Sequence, residues 1–109
     1  MKVKDWFGND VEVTITVGEY YDGNTSIRLW TKNDGPWGSL TVNLPDMFPR
    51  LEKDYAFVDT NNMPDAEEFI KKYKLGKPTG LYGYSGYCKY PLYQFNLEKL
   101  GVKPVEAQK

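Results

Sequence analysis

The chain contains no histidine and only one cysteine, Cys88, in 109 residues. Histidine is the commonest general base near neutral pH and the commonest protein metal ligand. Without it, zinc sites built from cysteine and histidine and Cys–His nucleophile pairs are excluded. One cysteine cannot form an internal disulfide, and burial as a small hydrophobe is its ordinary role. We therefore expect no metal, no cofactor and no enzymatic activity, while carboxylates and tyrosines leave acid–base catalysis open.

Long apolar runs are also missing. The first residues contain no apolar stretch of the length found in signal peptides, and no segment approaches the roughly 20 apolar residues of a membrane helix. We therefore expect a cytoplasmic protein that does not bind a membrane. The length predicts a single domain at residues 1–101, followed by a frayed tail at 102–109.

Alternation of apolar and polar residues predicts an antiparallel sheet. The predicted strands are 11–17, 26–31, 38–44 and 54–59. Short turn sequences separate the first three, and successive strands joined by short turns favour a meander. Pro45 and Pro49 are expected to end the third strand and to bracket a loop.

One helix is predicted at residues 63–75, with Asn62 as its cap and Gly76 as its stop. Its apolar stripe is Ala66, Phe69, Ile70 and Tyr73. Alternation over residues 91–97 then predicts a last strand. The expected fold class is α+β: an antiparallel meander of about four strands, one helix packed on the sheet, and a fifth C-terminal strand.

Charge is divided sharply along the chain. Residues 1–68 hold 6 Lys or Arg against 13 Asp or Glu, a net of 6 − 13 = −7, whereas residues 69–109 hold 8 Lys against 2 Glu, a net of 8 − 2 = +6. In the basic half, glycines and tyrosines alternate between two groups of lysines. Such interleaving is typical of phosphate and base contact. The candidate binding residues are Lys71, Lys74, Lys77, Tyr82, Tyr84, Tyr87 and Lys89.

Two interpretations of the basic segment 71–93 stay open. In one, a mobile glycine-rich loop brings tyrosines and lysines to a partner. In the other, the lysines are a solvated helix face and the tyrosines form a lid on the edge of the sheet. The acidic residues of the first half likewise either imitate phosphates for a basic partner or keep the protein soluble. Trp30 and Trp37 either complete the core or anchor an interface.

Part of the chain resembles a known family. The resemblance is carried by Met63–Phe69, Leu75–Thr79, Ser85–Tyr87 and Tyr90–Leu100. These stretches are similar to a family of small bacterial proteins of unknown function, associated with Gram-positive and gut bacteria, plasmids and conjugative elements. The resemblance implies no activity and no catalytic residue. It implies a context, because small acidic proteins of mobile elements often act as accessory or anti-defence factors.

The expected function is a small cytoplasmic module that binds another protein and performs no catalysis. The alternative is a single-stranded nucleic-acid binder that uses residues 71–93. Salt separates the two, because binding through lysine–phosphate contacts weakens steeply as the salt concentration rises.

Overall fold

The computed structural model describes residues 1–44 and 51–101. Its elements are β1 (Lys2–Lys4), β2 (Asp10–Glu12), β3 (Thr14–Glu19), β4 (Thr25–Thr31), β5 (Gly35–Ser39), β6 (Thr41–Val42), β7 (Tyr55–Val58), α1 (Ala66–Tyr73), β8 (Gly76–Ser85) and β9 (Cys88–Phe95). The paired strands are antiparallel throughout the described residues. A single described helix accompanies these sheets, in agreement with the predicted α+β class.

The arrangement of strands differs from the predicted meander. Strands β1 and β2 form a hairpin, β3-β4-β5 form a three-stranded sheet, and the third sheet has the order β6-β7-β9-β8. The C-terminal strand is therefore not added at the outside: β9 lies between β7 and β8. The prediction was wrong because residues that were interpreted as a loop form the long strand β8, which takes the edge position.

Two predicted strands are divided between sheets. The stretch 38–44 passes from β5 to β6 at Leu40, whose N–H donates to Ile27 O while its own carbonyl accepts from Asp59 N. This one residue therefore ties two sheets together. The stretch 11–17 is divided in the same way between β2 and β3 at the buried Val13. The alternation of apolar and polar residues in the sequence continues through both points, so periodicity alone gives no sign that the partner strand has changed.

Two apolar clusters share the strands of the four-stranded sheet. The larger cluster includes Ala56 and Tyr93 with residues of α1 and the three-stranded sheet, and the smaller one includes Phe57 and Leu92. Because successive side chains of a strand point to opposite faces, the clusters lie on opposite faces of the sheet. Burial on both faces explains why residues 90–93 are all buried rather than alternating.

Helix α1 begins later than predicted. Its N-cap is Asp65 rather than Asn62, and the Asp65 side chain makes no capping hydrogen bond to the helix. Asp65 Oδ2 instead accepts a hydrogen bond from Lys4 N at 3.0 Å, which attaches strand β1 to the helix start. The predicted apolar stripe is confirmed: Ala66, Phe69 and Ile70 are buried.

The helix also ends differently. Lys74 takes the left-handed conformation at the C-cap, with φ of 55°, whereas Gly76 already belongs to β8. Gly76 is needed there for close packing, since a Cβ would lie 2.7 Å from the Gln94 carbonyl oxygen. The predicted helix stop was therefore assigned to the wrong residue.

Two predictions lie outside the described residues, namely the loop bracketed by Pro45 and Pro49 and the frayed tail at 102–109. Within residues 1–44 and 51–101, no helix has the length and apolar character needed to cross a membrane.

Candidate functional site

Residues 76–95 form a β-hairpin, whereas one of the two interpretations left open for segment 71–93 was a mobile glycine-rich loop. The pairing of β8 with β9 runs from Gly76 opposite Phe95 to Ser85 opposite Cys88. The turn between them has two residues, and its first, Gly86, has a φ of 60° while the second, Tyr87, keeps a negative φ. This is the pattern of a type II′ turn, whose twist matches that of the flanking strands. The regularly spaced glycines do not prevent regular structure: Gly80 and Gly83 lie in β8, and Gly86 lies in the turn.

A bulge interrupts β8 in the middle. Between the pairs Pro78–Tyr93 and Tyr82–Pro91, three residues of β8 lie opposite Leu92 alone. The Thr79 hydroxyl donates to Leu92 O at 2.9 Å and accepts from Leu81 N at 3.1 Å, so a side chain replaces the missing ladder bonds. A bulge of this kind bends an edge strand and re-aims the side chains beyond it.

Gly83 fixes the direction in which the tyrosines point. A Cβ at this position would lie 2.7 Å from both Leu44 Cδ1 and Phe57 Cε1, so the bare backbone packs against the smaller core cluster. The neighbours Tyr82 and Tyr84 must then point to the other face. They are 45% and 53% exposed, and Tyr87 at the tip is fully exposed. The hairpin therefore holds its tyrosines out in solvent.

Five exposed residues of the hairpin between positions 81 and 89 carry large side chains, and we call them the hairpin surface: Leu81, Tyr82, Tyr84, Tyr87 and Lys89. Tyr84 lies opposite Lys89 in the ladder, and Lys89 Nζ lies 4.4 Å from the centroid of the Tyr82 ring. At that distance the cation is attracted to the ring face. One cation and two rings thus form a continuous patch.

Three lysines lie around a neighbouring cleft of about 910 Å³ between α1 and the hairpin. Lys71, Lys74 and Lys77 line it, together with Tyr93, whose hydroxyl donates to Glu67 Oε1 at 2.6 Å. Burial, assisted by this hydrogen bond, raises the pKa of Tyr93 well above its usual value, so the phenol stays neutral. Lys77 and Pro78 of β8 line this cleft, and Tyr82 follows them in the same strand, so the cleft adjoins the hairpin surface.

The seven predicted binding residues therefore fall into two adjacent groups. Three lysines line the cleft, and Tyr82, Tyr84, Tyr87 and Lys89 belong to the hairpin surface. Within the described part of the chain, none of these four lysines makes an ion pair. The hairpin itself, residues 76–95, holds two lysines and no acidic residue. The region is thus positive and aromatic.

Sequence reasoning assigned no role to two further groups of exposed aromatic side chains. Trp6 and Phe7 protrude from the β1–β2 turn, and Tyr21 protrudes from the β3–β4 turn. The signal was present in each case, because each ring stands one or two residues before a glycine of a turn sequence: Gly8 follows Trp6 and Phe7, and Gly23 follows Tyr21. A turn between hairpin strands is exposed, so an aromatic residue beside it is exposed as well.

The described residues contain no group of three His, Cys, Asp or Glu side chains positioned to hold a metal ion. Cys88 is half-buried beside Tyr90 in the smaller core cluster. Its contact with Tyr90 and the burial of the ring raise the pKa of that tyrosine.

A family model described as Domain of unknown function (DUF4313) matches residues 14–104. The chain belongs to this family. The expected membership in a family of unknown function is thereby confirmed. No curated protein and no solved structure matches the chain. The matched range contains α1 and the whole β8–β9 hairpin, whereas the β1–β2 hairpin precedes it.

Proposed function

We propose that the chain is a small non-enzymatic module that binds another protein through the hairpin surface. The observation that carries the proposal is the exposure of four large side chains, Leu81, Tyr82, Tyr84 and Tyr87, on one regular β-hairpin. Clusters of exposed aromatic side chains mark interaction sites more often than single exposed residues do.

The hairpin is suited to protein contact because its backbone is already ordered. The type II′ turn, the Thr79 hydrogen bonds and the packing of Gly83 hold the tyrosines in place before any partner arrives. Binding then costs little conformational entropy, and tyrosine offers a large rigid contact area with few rotatable bonds. Preorganised aromatic surfaces of this kind bind proteins effectively.

The lysines indicate the charge of the partner. Lys77 and Lys89 lie in the hairpin, Lys71 and Lys74 lie across the cleft, and none is neutralised by an ion pair to a described residue. A partner with an acidic rim around an apolar centre would complement this arrangement. Such complementarity increases the association rate and rejects basic partners.

Single-stranded nucleic acid is the second candidate ligand. The stacking of Lys89 on Tyr82 beside a second exposed ring favours it, since bases stack on aromatic side chains near cations. One observation favours a protein instead. The cleft and the hairpin surface contain lysine but no arginine, the better bidentate phosphate ligand.

The wider context belongs to the proposal as well. We place the chain in the cytoplasm as an accessory or anti-defence factor of a mobile genetic element. The support for this context is the resemblance of Met63–Phe69 and Tyr90–Leu100 to small proteins of plasmids and conjugative elements.

Affinity capture tests the proposed function. The tagged chain is incubated with a nuclease-treated lysate of the cells that naturally make it, and bound proteins are quantified by mass spectrometry. We expect one protein to be retained by the natural chain and by Tyr21→Ala, and to be lost with Tyr84→Ala/Tyr87→Ala. Tyr21 is a matched control because it is an equally exposed tyrosine in another turn.

Titration with a labelled oligothymidylate separates the two candidates. For a nucleic-acid binder, the logarithm of the affinity falls linearly with the logarithm of the salt concentration. We expect no saturable binding at physiological salt. Tight binding with a steep salt slope, abolished by the same double variant, would replace the protein-binding proposal by its alternative.

A further inference from the structure

A second cleft, of about 560 Å³, lies between the β1–β2 turn and the segment that joins β7 to α1. Trp6 lines it from the turn and Trp37 lines it from β5, and Asp5, Asp59 and Asp65 line it as well. None of the hairpin-surface residues borders this cleft, which is therefore a separate site. Two indole rings and three carboxylates share one cavity.

The turn that carries Trp6 is held by its own hydrogen bonds. Asp5 Oδ1 accepts from Phe7 N at 2.9 Å and from Asn9 N at 2.8 Å, and the Asp5 carbonyl accepts from Gly8 N at 3.1 Å. The Trp6 side chain is nevertheless 72% exposed. Transfer of a large ring out of water is favourable. A ligand that covers the exposed Trp6 ring would therefore be stabilised by this burial.

Indole rings fit several kinds of ligand, and the charge of the lining decides between them. Lys4 supplies the positive charge among the described lining residues, and its Nζ lies 2.8 Å from Asp10, which is outside the cleft. Their hydrogen bond raises the pKa of Lys4 and lowers that of Asp10, so both stay charged and offset each other. The lining residues therefore include three aspartates and one lysine, which is already paired outside the cleft, so the cleft is net negative. An anionic ligand would be repelled and a cationic one attracted.

Two of these carboxylates retain free acceptor capacity. Asp59 uses both oxygens on Asn62, at 3.2 Å to its N–H and 3.0 Å to its side-chain amide. Asp5 uses only Oδ1, and Asp65 uses only Oδ2, which accepts from Lys4 N. Asp5 Oδ2 and Asp65 Oδ1 have no hydrogen-bond partner within the described part of the chain. Each can accept a donor from a ligand.

We propose that this cleft binds an arginine side chain presented by another protein. A guanidinium group is planar, stacks on an indole face and donates forked hydrogen bonds to carboxylates. The cleft supplies both partners, with Trp6 and Trp37 for stacking and the free oxygens of Asp5 and Asp65 for donors. A lysine ammonium satisfies the charge but offers no plane for stacking, so arginine binds more tightly.

A short glycine-flanked arginine peptide is the probe, and the peptide with citrulline in place of arginine is its neutral isostere. Indole N–H resonances are followed by NMR during titration of the full chain. The arginine peptide is expected to shift the Trp6 and Trp37 signals saturably, with millimolar affinity, as suits a single side chain. The citrulline peptide is expected to give no saturable shift.

Variants then assign the binding to the cleft. Trp6→Ala is expected to weaken the arginine peptide about tenfold or more, and Tyr21→Ala to leave its affinity unchanged. Asp5→Asn keeps a side-chain oxygen for the turn but removes the charge, so a loss of several-fold is expected there as well. Equal binding of the arginine and citrulline peptides, equal binding of a lysine peptide, or full affinity in Trp6→Ala would overturn the proposal.

Discussion

The hairpin surface and the cleft lined by Trp6 and Trp37, which we call the tryptophan cleft, are both aromatic. Their charges are opposite, and their rings are exposed by different means. On the hairpin, Gly83 packs the backbone against the smaller core and so directs Tyr82 and Tyr84 outward. In the β1–β2 turn, the Asp5 carboxylate fixes a loop that carries Trp6. The comparison shows that strand register and turn hydrogen bonds are two routes to a preorganised aromatic surface.

Helix α1 lies between the two sites and explains part of their difference in charge. Its first turn carries Glu67 and Glu68, and its last turn carries Lys71 and Lys72. This distribution stabilises the helix through its macrodipole. The sequence changes from acidic to basic at the middle of the helix, so the division of charge is the one that favours the helix. Asp65 borders the tryptophan cleft. Lys71 and Lys74 border the cleft between α1 and the hairpin, which we call the basic cleft.

The largest effect on the free energy of unfolding is expected at Phe69, because this residue anchors the helix that lies between the two sites. Phe69 is buried and packs edge-to-face on Tyr73 at 5.2 Å between ring centroids. Phe69→Ala should lower the free energy of unfolding by about 3–5 kcal/mol, as large core truncations do. Urea denaturation measures this, with the exposed Glu68→Ala as control. A loss below about 1 kcal/mol would mean that the helix does not anchor the two sites.

A change at Gly83 should damage only the hairpin. Gly83→Ala places a methyl group against Leu44 and the buried Phe57 and should cost about 1–3 kcal/mol through overpacking. Gly18→Ala, in strand β3 with open space around its Cβ position, is the matched control and should change stability little. If the two variants melt alike, Gly83 does not set the direction of the tyrosines.

Alkaline pH should lower the free energy of unfolding through Tyr93, which lines the cleft between α1 and the hairpin. The folded state raises the pKa of Tyr93 above that of the unfolded chain, because the ring is buried and its hydroxyl donates to Glu67. This stabilisation is present in full below pH about 10 and is lost as the pH rises toward the folded-state pKa.

At neutral pH, Tyr93→Phe should therefore cost about 1 kcal/mol through the lost hydrogen bond. Its difference from the natural chain should shrink as the pH rises above about 10, where tyrosine ionises in the unfolded state. Tyr84→Phe serves as the control for general effects of alkali. A difference that stays constant across this range would contradict the assigned role of burial.

Much of the fold could be predicted from local patterns. The apolar stripe of α1 and the candidate strands at 26–31 and 54–59 were found because each is marked by its own local residue pattern. The layout of the sheets could not be predicted, since the partner strand changes at Leu40 and Val13 while the apolar–polar alternation of the sequence continues. Strand β8 was missed because Gly80, Gly83 and Gly86, at every third position, suggested an irregular loop.

The candidate site was predicted in part for a similar reason. Composition identified the lysines and tyrosines of 71–93, but their division into a cleft and a hairpin surface depends on the pairing of β8 with β9. The tryptophan cleft joins residues about 60 positions apart, Asp5 and Asp65. No local pattern indicates that such residues meet.

The most direct test measures the stability and partner binding of Tyr84→Ala/Tyr87→Ala on the same samples. Both rings stand in solvent, so each substitution should lower the free energy of unfolding by less than about 1 kcal/mol. The captured partner should nevertheless be lost. If the double variant is destabilised by several kcal/mol while it still binds the partner, the tyrosines are a structural lid, and the hairpin surface is not the binding site.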